Sequence, residues 1–128
     1  MTPDKKKEEA IREANLKIGS VYILIASSIF ILFSLYTNKN RIIEGKEDDL
    51  IGAEINKFDY IAIMSRVIPK AILLYYAYKH FKPILDDNEL LDTKEGRGLR
   101  NVFTANLLDS SSTAIDVYSL LIKDVTFY

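Results

Sequence analysis

The sequence contains no cysteine and a single histidine. Without cysteine the chain cannot form a disulfide, and it offers no thiolate as a nucleophile or as a ligand for zinc or an iron–sulfur cluster. The one histidine, His80, has no second histidine or carboxylate at ligand spacing, although catalytic and zinc sites need convergent partners. We therefore expect no catalytic residue, no metal site and no cofactor, and we predict that the protein is not an enzyme.

The chain also lacks an excess of positive charge. Its 17 Lys and Arg residues stand against 18 Asp and Glu residues, which gives a formal net charge of −1. A nucleic-acid-binding protein needs a basic face that displaces counterions from phosphate. We accordingly exclude nucleic acid as a partner.

Loops that bind calcium or phosphate are missing as well. The acidic runs at 47–49 and 86–87 lack the alternating ligands and the glycine of a calcium loop. The segment at 95–98 has two glycines but neither the spacing nor the Lys-Ser/Thr ending of a phosphate loop. These segments are interpreted as solvated surface.

A long hydrophobic run is the strongest feature that is present. Between Lys17 and Lys39 stand 21 residues without a charge, and about 20 helical residues cross a roughly 30 Å hydrocarbon core. The alternative is a buried helix in a soluble core, but such helices seldom stay apolar all round for this length. We predict a transmembrane helix from Ile18 to Tyr36.

A charged leader precedes the span, and residues 1–37 together form the first predicted unit. Thr2 suits a helix N-cap and Pro3 suits the first turn, so leader and span are expected to form one helix of about 35 residues. Basic residues are more numerous before the span than after it, which favours an N-terminus on the inner side. These residues are Lys5, Lys6, Lys7, Arg12 and Lys17 before the span, and Lys39, Arg41 and Lys46 after it.

Residues 38–58 contain turn formers and are predicted as a polar connection, and residues 59–82 as a second helix. Asp59 is its expected cap, Pro69 its expected kink and Pro83 its expected stop. Arg66 and Lys70 near a membrane centre cost about 2.5 to 3.5 kcal/mol each, whereas eight apolar neighbours return only about 0.3 to 0.6 kcal/mol apiece. The helix should therefore lie at the interface, or cross only where partners receive its charges.

The end of this second helix is rich in aromatic and basic residues. Rings at headgroup level with cations facing phosphate are typical of a lipid-interface anchor, and a buried aromatic core is the alternative. The candidate anchor residues are Tyr75, Tyr76, Tyr78, Lys79, His80 and Lys82.

Residues 83–100 are predicted as a connector and residues 101–128 as an amphipathic C-terminal helix. Helical spacing separates an apolar stripe from a polar one. The apolar stripe comprises Leu108, Ser111, Ile115, Tyr118, Ile122 and Val125, and the polar stripe comprises Asp109, Thr113, Asp116 and Lys123.

Four charges form the candidate site. Arg66 and Lys70 lie one turn apart on the second helix, and Asp109 and Asp116 lie two turns apart on the last helix. If the helices pack at membrane depth, pairing would lower the cost of dehydrating each charge. Four independently solvated charges are the alternative.

These features predict an all-α integral membrane protein with three main parts. They are a long N-terminal helix containing a transmembrane span, a second charged or kinked helix, and a C-terminal amphipathic helix. We expect a structural or accessory subunit of a larger assembly, with membrane lipid and other protein subunits as partners. The expected location is an organelle inner membrane, with a virion membrane as the alternative. The alternative function is a small self-assembling channel or transporter whose polar path is lined by the four charges.

Overall fold

The computed structural model describes residues 2–45 and 51–122, and the side chains of residues 2–45 and 57–121. This part of the chain is helical and contains no strand, which confirms the all-α prediction. The elements are α1 (Pro3–Glu44), α2 (Ile51–Leu85), the short α3 (Asn88–Leu91) and α4 (Lys94–Ile122).

Helix α1 begins as predicted and ends later than predicted. The Thr2 hydroxyl accepts a hydrogen bond from the Lys5 N–H at 3.3 Å, and Pro3 occupies the first turn. The helix stops at Gly45, whose φ of +70° lies in the left-handed region that glycine enters without strain. At 42 residues α1 is about 63 Å long. Residues 38–44 and 51–58 of the predicted polar connection are therefore helical, and residues 46–50 lie outside the described residues.

Helix α2 is longer than predicted at both ends. It begins at Ile51, so the prediction that Asp59 caps it is wrong, because this carboxylate lies inside the helix and is only 2% exposed. The helix also continues through Pro83 to Leu85, which corrects the predicted stop. A proline so near the end removes one backbone donor, and the following turn still closes through the Asp86 N–H and the Lys82 carbonyl at 3.2 Å.

The predicted connector at 83–100 is largely helical. Asp87 caps α3 by accepting the Glu89 N–H at 3.0 Å, and the Thr93 hydroxyl accepts the Gly96 N–H at 3.0 Å at the start of α4. Helix α4 thus begins before residue 101, because two side-chain caps restart the helix within the connector. Residues 123–128 of the predicted last helix lie outside the described residues.

The three long helices form an open layer with α2 in the middle. Helix α2 contacts α1 and α4, whereas α1 and α4 do not touch each other over the described residues. Neighbours are antiparallel: His80 lies beside Glu13 while Arg66 lies beside Ser27, and Phe103 of α4 lies beside Phe81 near the end of α2.

Two helices are long and apolar enough to cross a membrane, α1 and the Lys57–Leu85 part of α2. The sequence predicts a span within α1, and for α2 it allows either a position at the interface or a crossing. Only 17% of the most apolar stretch of α1 is buried within the protein. This stretch is therefore unlike a helix that is buried in the core of a soluble protein.

Candidate functional site

The face of α1 that meets α2 is lined by small polar side chains. Ser20, Ser27 and Ser34 recur every seven residues, which places them on one helical face two turns apart, and they are 2%, 1% and 0% exposed. Small residues let two helix backbones approach closely, as they do where helices associate in membranes. At these positions the contact between α1 and α2 is close and polar, and beside them Phe30 and Phe33 of α1 pack on Phe58 of α2, with ring centroids 6.3 Å and 6.5 Å apart.

Hydrogen bonds connect the two helices across this contact. The Ser27 hydroxyl donates to the Ala62 carbonyl at 2.7 Å and accepts from Arg66 Nε at 2.7 Å. The Ser34 hydroxyl donates to Asp59 Oδ1 at 3.1 Å. Over the described side chains, each buried nitrogen or oxygen atom has a hydrogen-bond partner. The polar interior is thus fully satisfied, which is the condition under which buried polar groups are tolerated.

The outward faces of α1 are apolar. Its exposed side chains include Ile18, Val21, Tyr22, Ile23, Ile25, Ile29, Leu32, Phe33, Leu35 and Tyr36. Monomeric soluble proteins rarely expose continuous apolar surface on this scale. Polar groups inside and apolar groups outside are the reverse of the arrangement in a soluble helical domain.

The structure brings together one of the predicted charge pairs. Lys70 Nζ lies 3.3 Å from Asp109 Oδ2, and the neighbouring Ser110 hydroxyl donates to the Lys70 carbonyl at 3.4 Å. Arg66 instead turns to α1, where it contacts Ser27. Asp116 is half-buried on α4 and forms no ion pair with either cation over the described residues.

Sequence reasoning missed the serines that receive Arg66. Ser20, Ser27 and Ser34 are spaced by seven residues, and this spacing was a usable signal in the sequence for one shared helical face. The Arg66 guanidinium also lies 3.5 Å from the Ser28 hydroxyl. The acceptors of this charge are therefore hydroxyls rather than the predicted carboxylate.

Helix α4 points its polar stripe towards α2 and its apolar stripe outwards. Thr113 is only 7% exposed, whereas Leu108, Ile115 and Tyr118 are 66%, 65% and 63% exposed. The predicted amphipathic pattern is present over the described part of the helix. Its orientation repeats the polar-inside arrangement of α1.

Three of the six candidate anchor residues contact another helix. His80 Nε2 lies 2.8 Å from Glu13 Oε1, and two ammonium groups lie near the Tyr76 ring, with Lys17 Nζ at 5.7 Å and Lys79 Nζ at 5.8 Å from its centroid. The other three candidates are Tyr75, Tyr78 and Lys82. The Tyr75 ring packs on Tyr76 with centroids 5.1 Å apart, Tyr78 meets Phe103 with centroids 6.0 Å apart, and Lys82 is exposed.

Glu13 is the electrostatic centre of this cluster. Burial by itself would raise its pKa, but hydrogen bonds from Lys17 and His80, together with their charges, outweigh that effect and lower the pKa below its ordinary value. Lys17 Nζ lies 2.8 Å from Glu13 Oε2. The carboxylate therefore joins the leader of α1 to the end of α2 in its ionised form.

The described residues contain no group of three or more side chains that could hold a metal ion. In comparisons with known proteins, no family model, curated protein or solved structure matches the chain.

Proposed function

We propose that the protein is a non-catalytic integral membrane subunit that holds its place in a larger protein assembly. The observation that carries this proposal is the inverted polarity of α1, with Ser20, Ser27 and Ser34 inside and large apolar side chains outside. In hydrocarbon the polar groups must be satisfied within the protein, while the apolar surface needs no cover other than lipid.

The charges of α2 support a second crossing. Arg66 donates a hydrogen bond to Ser27 of α1, and Lys70 pairs with Asp109 of α4, so each cation has a polar partner on a neighbouring helix. An unpartnered cation at mid-membrane costs about 2.5 to 3.5 kcal/mol on the insertion scale, and pairing reduces that cost. Of the two alternatives for this helix, we therefore favour crossing.

Helix α4 then shares the depth of α2. It packs antiparallel along α2, with Asp109 level with Lys70 and Phe103 level with Phe81. Over its described residues α4 is not apolar enough by itself to qualify as a span, so its placement depends on α2: if α2 crosses the membrane, a helix packed along it lies at the same depth. We propose three crossings in all, which place the two chain termini on opposite sides of the membrane.

Two features support a role in an assembly. Residues 3–17 extend about 22 Å beyond the span and carry exposed charged side chains around the exposed Ile11. In addition, the layer does not close into a bundle, and Asp116 lies half-buried on α4 without a contacting cation over the described residues. Carboxylates at membrane depth need a neutralising partner. The location proposed is an organelle inner membrane, with a virion membrane as the alternative.

The test of this proposal is the composition of the protein in its native membrane. A tagged chain extracted in mild detergent should co-purify with several other polypeptides in fixed proportions, as identified by mass spectrometry. Reporter tags at the two termini should be accessible from opposite sides of the membrane. Recovery of the chain alone, or its release by alkaline carbonate, would contradict the proposal.

A channel or transporter is the second candidate. It is favoured by the line of Asp109, Thr113 and Asp116 along the α4 face that meets α2. The discriminating experiment is current through a planar bilayer containing the purified chain. The subunit proposal predicts no current, whereas a channel should conduct and should change its ion selectivity when Asp116 is replaced by asparagine.

A further inference from the structure

We propose that a cleft between the leader of α1 and the end of α2 binds the phosphate of an anionic phospholipid. This inference rests on the proposed membrane insertion, because it requires the cleft to lie at headgroup level. It goes beyond that function by assigning a ligand to named residues.

The cleft has a volume of about 330 Å³, and its walls come from both helices. Helix α1 contributes Glu9, Arg12 and Leu16, and α2 contributes Tyr75, Tyr76 and Lys79. Two cations from different helices thus face one space, and only one carboxylate lines it. An arginine fork binds phosphate oxygens in pairs, and a lysine ammonium adds a point charge. The neighbouring charges Glu13, Lys17 and His80 are already engaged with one another.

The position of the cleft along α1 matches the headgroup layer. Its innermost α1 residue, Leu16, lies two positions before Ile18, where the charge-free run begins. Its outer residues, Arg12 and Glu9, lie one and two turns further into the charged leader. Tyrosine rings on the opposite wall are typical of this layer, because their apolar bodies face lipid while their hydroxyls remain in contact with water. A ligand in the cleft therefore has its charge in water and its remainder in hydrocarbon.

An apolar surface continues from the cleft into the span. Ile23 follows Leu16 by seven residues and Ile68 precedes Tyr75 by seven, so each lies on the same helical face as the cleft residue above it. Ile23 is 45% exposed and Ile68 is 68% exposed. This surface fits the acyl chains of a lipid whose phosphate lies between Arg12 and Lys79. Free phosphate has no apolar part that could contact this surface, and for this reason we assign the cleft to a phospholipid.

Binding is best measured on the full chain reconstituted in nanodiscs of phosphatidylcholine with increasing phosphatidylglycerol. Bound lipid is counted by native mass spectrometry, and inorganic phosphate is added as a competitor in a second arm. The test variants are Arg12→Gln, Lys79→Gln and their double variant. The control is the double variant Lys39→Gln with Lys94→Gln, which removes the same charge from exposed positions outside the cleft. Circular dichroism checks that all variants keep their helix content.

We expect the unsubstituted chain to retain phosphatidylglycerol in preference to phosphatidylcholine. Each single substitution should weaken that preference about fivefold and the double substitution about thirtyfold, since a cation near a membrane surface contributes about 1 kcal/mol. The control should keep the preference.

Three results would overturn the inference. They are an equal preference in the double variant and the control, no preference in the unsubstituted chain, or displacement of the lipid by inorganic phosphate at millimolar concentration. A chain that fails to enter nanodiscs at all would instead refute the membrane function on which the inference rests.

Discussion

The two helix contacts made by α2 differ in kind. On the α1 side, small buried serines bring the helices together and hydroxyls receive the Arg66 guanidinium. On the α4 side, a salt bridge joins Lys70 to Asp109, whose side chain is 62% exposed, and aromatic rings pack at one end. The polar residues of the first contact are buried, and we call it the closed contact. The second contact is partly exposed, and we call it the partly open contact.

This difference assigns separate roles to the two contacts. A closed contact between small residues tolerates no added volume, because the backbones have no room to separate without losing their hydrogen bonds. A partly open contact that depends on charge tolerates changes in size more readily than loss of one partner. The α1–α2 pair is therefore the rigid part of the layer, and α4 is held beside it more loosely.

The largest expected effect is overpacking of the closed contact. Replacing Ser27 with leucine adds volume at a 1% exposed position and removes the acceptor of Arg66, so the free energy of unfolding should fall by about 2 to 4 kcal/mol. The matched control is Ala26→Leu, one residue away on the exposed side, which should cost less than about 0.5 kcal/mol. Denaturant titration in detergent micelles, followed by circular dichroism, measures both. Equal losses would show that Ser27 does not lie in a tight contact.

A smaller effect is expected where the chain turns towards α4. A Cβ atom on Gly96 would overlap the Leu90 carbonyl, so Gly96→Ala should destabilise the turn by about 1 to 3 kcal/mol. Gly98 has open space around its Cβ position, and Gly98→Ala should be neutral or stabilising by up to about 1 kcal/mol. The same titration compares the two variants. If the order were reversed, the close approach between α3 and α4 would be wrong.

Breaking the salt bridge of the partly open contact should cost less again. Asp109→Asn leaves Lys70 without its counter-ion and should lower stability by about 1 to 2 kcal/mol. Adding Lys70→Met to this variant should restore much of the loss, because the unpaired charge is removed. A double-mutant cycle measures the coupling directly. Losses that simply add would indicate that the two side chains do not interact.

The sequence predicted some of these features and not others for identifiable reasons. The cap at Thr2, the long first helix and the amphipathic pattern of α4 follow from local preferences, and the structure confirms them over the described residues. Asp59 was misread as a cap because a carboxylate before an apolar run is typical of a helix start. Its actual role depends on Ser34, 25 residues away, and a single sequence gives no direct sign of such a contact.

In the candidate site, too, contacts between residues far apart in the sequence could be predicted only in part. Opposite charges on two predicted helices suggested pairing, and Lys70 does lie beside Asp109. Arg66 binds Ser27 rather than a carboxylate because of the face that α1 presents to α2. That face is marked by serines rather than by large apolar residues, so the usual search for an apolar core stripe points to the wrong side of the helix.

The smallest expected effect concerns the water-exposed end of the α1–α2 pair. Because the pKa of Glu13 is lowered in the folded protein, its contribution to stability is fully present above its ordinary value of 4.5 and is lost as the pH falls through the lowered value. The contribution should be under about 1 kcal/mol, since the ion pairs are near the surface. Glu13→Gln should remove this part of the pH dependence, and Glu8→Gln, on the exposed leader, should not. If the free energy of unfolding changed with pH in the same way for the unsubstituted chain and Glu13→Gln, this role would be contradicted.

The central claim is that α1 faces lipid with its apolar side and protein with its serines. The absence of cysteine allows single cysteines to be introduced and spin-labelled without background. Labels at Ile25, Ile29 and Leu32 in liposomes should collide with dissolved oxygen and not with a water-soluble nickel complex, while a label at Glu8, on the exposed leader, should collide with the nickel complex. Collision of the three outward labels with the nickel complex would show that this face lies in water and would contradict the account.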